Sequence, residues 1–117
     1  MSTRWQDIYM FLKNKGIDVY SPGQHQGDCL SPYVVIKELN SVPVSGFSTN
    51  TDLYALLCYV PENHYSQLKS FVNNIEGLMK ELEPMIMSTH QRDASYYDEE
   101  IKAHMISLRY QNRVKQY

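Results

Sequence analysis

Four histidines, two cysteines and a run of carboxylates are the side chains of this 117-residue chain that could do chemistry, and their spacing decides which. Zinc sites usually show at least one close ligand pair on a turn or a helix face. His25, His64, His90 and His104 include no two within ten residues of each other, so they read as solvated or capping imidazoles. Cys29 and Cys58 lie 29 residues apart with no C-x-x-C and no Cys/His ladder, which suits two reduced thiols in a cytosolic protein. Cys58 sits inside an apolar run and reads as an inert packing residue. Cys29 follows Asp28, whose negative charge would raise a thiol pKa and blunt a nucleophile. The carboxylates Asp93, Asp98, Glu99 and Glu100 are clustered, but neighbouring side chains point apart and rarely converge on one ion. A solvated loop or a helix N-terminus suits them better. Gly23 and Gly27 belong to neither a nucleophile elbow nor a phosphate-cradling loop. These residues point to a protein that is not an enzyme and that uses no metal and no cofactor.

Composition narrows the class further. Eleven basic against thirteen acidic residues leave a net charge of −2. Nothing there steers the chain toward nucleic-acid phosphate or an anionic membrane, and Arg109, Arg113 and Lys115 are too few to reverse this. The longest apolar stretch, Leu53 to Val60, is far too short to span a bilayer, and the first residues lack the apolar core of a secretory signal. Tyrosine is the outlying feature, with ten residues. A tyrosine buries a ring but keeps a polar end, so it suits core margins and protein–protein interfaces alike.

The elements follow from periodicity and punctuation. Thr3 and Gln6 are spaced as a capping box, and Trp5, Ile8, Tyr9 and Leu12 trace one face of a first helix that Gly16 stops. A short strand over Ile17 to Tyr20 leads into a polar loop with a Pro22-Gly23 turn. Tyr33 to Leu39 is β-branched and predicts a strand, and Asn40 to Asn50 a loop or hairpin connection. Leu53 to Val60 is apolar on both parities, as expected of a central strand covered on both faces. A second helix is predicted over His64 to Leu82, with Asn63 as its N-cap and Gly77 letting another element approach closely. Met85-Ile86-Met87 reads as a short buried strand, His90 to Asp98 as a polar loop, and Ile101 to Tyr110 as a last strand before a polar tail over 110–117. The expected fold is one α+β domain: a mixed, mainly antiparallel sheet of four to five strands with two helices on one face, in the order α-β-β-β-α-β-β. Two helices screen only one face of such a sheet. The cover missing from the other face is expected to be another subunit.

Several of these segments carry a resemblance. Val19-Tyr20-Ser21-Pro22-Gly23-Gln24-His25-Gln26-Gly27-Asp28-Cys29 with Pro32-Tyr33-Val34-Val35-Ile36-Lys37, then Thr51 to Pro61, then Lys102 to Tyr110 resemble the tail terminator (tail completion, head–tail joining) family of tailed bacteriophages and prophage-derived tail particles. The resemblance implies a structural subunit of a virion tail, assembled in the host cytoplasm. It further implies a ring, usually a hexamer, that caps the head-proximal end of the tail tube. The implied partners are further copies of the chain, the tube protein and the neck or connector protein. A head–tail connector subunit is the nearest rival, and a small cytosolic protein-binding module the rival from another class. The family brings no catalytic residues. Partner contacts are expected on two polar loops, one holding Gln24, His25, Gln26 and Asp28, the other Arg92, Asp93, Tyr96 and Tyr97.

Overall fold

The structure, a computed structural model, describes residues 4–24, 27–39, 42–43, 49–82, 86–92 and 94–115. The first helix, α1 (Arg4–Asn14), buries Ile8 and Leu12 and half-buries Trp5 and Tyr9, the spacing its sequence dictates. It ends in a Schellman arrangement. The N–H of Gly16, at φ +83°, donates to the Lys13 carbonyl, and the N–H of Ile17 donates to that of Leu12. Thr3, the expected cap, lies outside the described residues. Two short strands follow α1: β1 (Val19–Tyr20) and, after the Pro22-Gly23 turn, β2 (Tyr33–Glu38). β1 spans only two residues, so it leaves part of the outer edge of β2 bare. The Trp5 indole N–H donates to the Ile36 carbonyl on that edge at 2.8 Å, which anchors α1 to the sheet.

The remaining elements are β3 (Val42–Pro43), β4 (Thr49–Pro61), a 3₁₀ turn over Glu62–Gln67, α2 (Leu68–Met79), a second 3₁₀ turn over Lys80–Leu82, β5 (Met87–Arg92), β6 (Tyr96–Asp98) and β7 (Ala103–Lys115). All seven strands form one sheet of order β1-β2-β4-β7-β5, with β3 added beside β4 and β6 beside β7. Only the β1–β2 pair is parallel. The fold is therefore mixed α+β, five strands abreast with two short extra segments. β4 and β7 are paired without interruption from Thr49↔Lys115 to Pro61↔Ala103.

Even-numbered residues of the central strands face the helices. The register Val34↔Cys58↔Ile106, Ile36↔Leu56↔Leu108 and Tyr54↔Tyr110 lays down the sheet side of the core. Against it pack Ile8 and Leu12 of α1 and Leu68, Val72, Ile75 and Met79 of α2. Both helices thus lie on one face, as expected.

Several expectations are corrected. α2 begins at Leu68 rather than His64; its N-cap residue is Gln67, and Asn63 sits within the preceding 3₁₀ turn. The reason is Pro61: it ends β4, and the Glu62 N–H is held by the Lys102 carbonyl, so a tight turn precedes the helix. Of the strand expected over Met85-Ile86-Met87, Met85 lies outside the described residues and Ile86 precedes β5, which starts at Met87 and runs through residues expected in a loop, while Tyr96 to Asp98 forms β6. Polar residues form these strands because both pair with β7, which supplies the ladder regardless of side-chain polarity. The expected polar tail is largely the end of β7, held by β4 in the same way. Gly77 admits no close neighbour: a β-carbon there would meet nothing within 4 Å.

Two measurements test this architecture. Gly77→Ala is expected to raise stability by about 0.5–1 kcal/mol, since it adds helix propensity without a clash; chemical denaturation followed by Trp5 fluorescence reads the shift. Leu56→Ala, beneath the helices, is expected to cost about 2–5 kcal/mol in the same assay. Leu57→Ala, one residue on and half-buried on the other face, should cost less than half as much.

Candidate interaction surface

Because side chains alternate along a strand, the odd-numbered residues of the central strands build a second face. Across it, Tyr33, Tyr59, Met105 and Tyr96 stand in register on β2, β4, β7 and β6. The Tyr33 and Tyr59 rings stack with centroids 4.9 Å apart, and the Tyr20 ring meets Tyr33 edge-on at 5.4 Å. Val35, Leu57 and Ser107 form the next row, and Lys37, Ala55 and Arg109 the one after. A small cluster of Cys29, Tyr33 and Ala103, with Tyr20, Val35, Tyr59 and Ile101 against it, closes one end of this face; no helical residue belongs to it among the described residues. Val35, Leu57, Tyr59 and Met105 are left half-buried and Tyr96 is exposed. Burial is the main cause that pushes the Tyr33 and Tyr59 phenols above their ordinary value, with Cys29 next for Tyr33 and the Asp98 carboxylate next for Tyr59.

The ten tyrosines therefore separate by parity and element. Tyr54 and Tyr110 are buried under the helices, and Tyr9 stacks on Trp5 with centroids 5.2 Å apart. Tyr20, Tyr33, Tyr59 and Tyr96 belong to the open face. Tyr65 and Tyr97 flank His104 at one end of the helix side, with centroids 4.6 and 5.0 Å from the imidazole.

The residues expected to contact partners do not form one site. His25, Gln26 and Asp93 lie outside the described residues. The Gln24 side chain folds back on its own turn, its Oε1 accepting from the Ser21 N–H at 2.9 Å and from the Ser21 hydroxyl at 3.2 Å. Asp28 is exposed and only 3.9 Å from the Lys102 ammonium. Arg92 ties β5 to α2 through Asn73 and Glu76. The Tyr97 hydroxyl donates to the Glu62 carboxylate at 2.7 Å on the helix side, whereas Tyr96 faces the opposite way. Gln24, Asp28, Arg92, Tyr96 and Tyr97 are all exposed, but Gln24, Arg92 and Tyr97 are held by bonds within the subunit and Asp28 lies beside Lys102. Leu57, Tyr59 and Met105 were not among the expected contacts; the odd parity of two apolar strands is the signal that places them on one face.

Two concavities flank this end of the sheet. One, of about 420 Å³, is lined by Tyr65, Leu68, Lys69, Arg92, Ala94, Ser95 and Ile106 among others. The second, of about 300 Å³, lies between Asp28, Cys29 and Leu30 and the start of the first 3₁₀ turn. Among the described residues no three His, Cys, Asp or Glu side chains gather as a metal site requires. Cys29 is buried, and burial pushes its thiol from the ordinary 9.0 up to about 11, against a weaker lowering by its bond to the Ser31 carbonyl. Desolvation rather than Asp28 is the cause, a correction to the sequence expectation. Cys58 is pushed up further, again by burial. The chain matches no family model, and no curated protein matches it in sequence.

The raised thiols have a pH signature. The protonated forms are favoured by folding; for Cys29 the contribution to stability is complete below about pH 9 and is lost as pH rises through about 11, and for Cys58 it is lost at still higher pH. An aromatic disulfide reagent at pH 8 is expected to label neither cysteine quickly in the native protein and both in denaturant. Rapid native labelling of Cys29 would show its thiol to be exposed and its burial wrong.

Proposed function

We propose that this chain is a non-enzymatic structural subunit of a phage or phage-like tail. In this reading copies assemble into a ring, a hexamer by analogy with the family the sequence resembles, at the head-proximal end of the tail tube. One side of the ring docks on the last ring of tube subunits and ends their polymerisation; the other meets the neck or connector protein. The mechanism is geometric. A heterologous contact, repeated with a fixed rotation, closes when the rotations sum to a full turn.

The observation that carries this reading is the open sheet face. Both helices lie on the opposite side, and what remains is a face on which Val35, Leu57, Tyr59 and Met105 are half-buried and Tyr96 is exposed. Tyrosine is enriched at protein–protein interfaces, which suits the tyrosines on this face. The compositional excess of tyrosine and the resemblance in strand and loop segments support the same assignment independently.

Native mass spectrometry at micromolar concentration is expected to show a closed oligomer, and negative-stain images rings or capped tubes. A wholly monomeric chain under these conditions defeats the assignment. Replacing Tyr96 and Tyr97 together with Ala is expected to lower the oligomer or tube-docked fraction. Thermal unfolding of the subunit should change by only about 1 kcal/mol, because both side chains are at the surface. An unchanged assembly profile removes β6 from the contact.

A further inference from the structure

We draw no further inference here: the strongest candidate, the apolar groove between the start of α2 and Ala94-Ser95, is floored by Leu68 and Ile106 and rimmed by an Arg92 already bonded to Glu76 and Asn73, and nothing in the structure shows what covers it.

Discussion

The uninterrupted pairing of β4 with β7 is the constraint on which the rest of this molecule depends. Thirteen registered pairs, twelve steps of about 3.4 Å, span roughly 41 Å, most of the 49 Å longest dimension of the subunit. This ladder sets which residues share a row, and therefore which share a face. It brings Tyr54 opposite Tyr110 and Leu56 opposite Leu108 beneath the helices, and at the same time Leu57 opposite Ser107 and Tyr59 opposite Met105 on the other side. A slip of one residue would exchange the two faces and destroy the core. The ladder also recruits β5 and β6, whose own sequences are too polar to argue for strands.

From that register follows the division of labour between the two faces. The helix side is finished: α1 is capped by its Gly16 turn and fastened by the Trp5 indole, and α2 contributes a stripe of four buried residues. The other side is finished only at one end, where the Cys29 loop folds over Tyr33 and Ala103. Closing the open face would remove half-exposed apolar area from water, whereas a further helix would have to come from the chain itself. The loop that seals the end of the open face is also the one that projects Leu30.

Much of this was legible in the residues. The spacing of Ile8 and Leu12, and of Leu68, Val72, Ile75 and Met79, specifies two amphipathic helices, and the apolar run from Leu53 to Val60 specifies a central strand. The expectation of cover on both faces of that strand is met on the helix side, where Tyr54, Leu56, Cys58 and Val60 are buried; on the other side Ala55 is buried and Leu53, Leu57 and Tyr59 are half-buried. Contact residues were less legible. Arg92 and Tyr97 look outward in a sequence because they are polar and lie among polar neighbours. In the fold they are drawn onto Glu76 and Glu62, residues distant in the chain. Polarity marks exposure to water or to a partner, and only the register tells which.

By itself, then, the sequence determined the fold class, the two helices and their buried stripes, the central strand and the surplus of amphipathic surface, because each rests on local periodicity and composition. Only the tertiary structure decided how far β7 extends, that β5 and β6 are strands, which tyrosines share the open face, and that Leu30 stands out beside it. These depend on pairing between segments dozens of residues apart. No window along the chain contains both halves of such a pair.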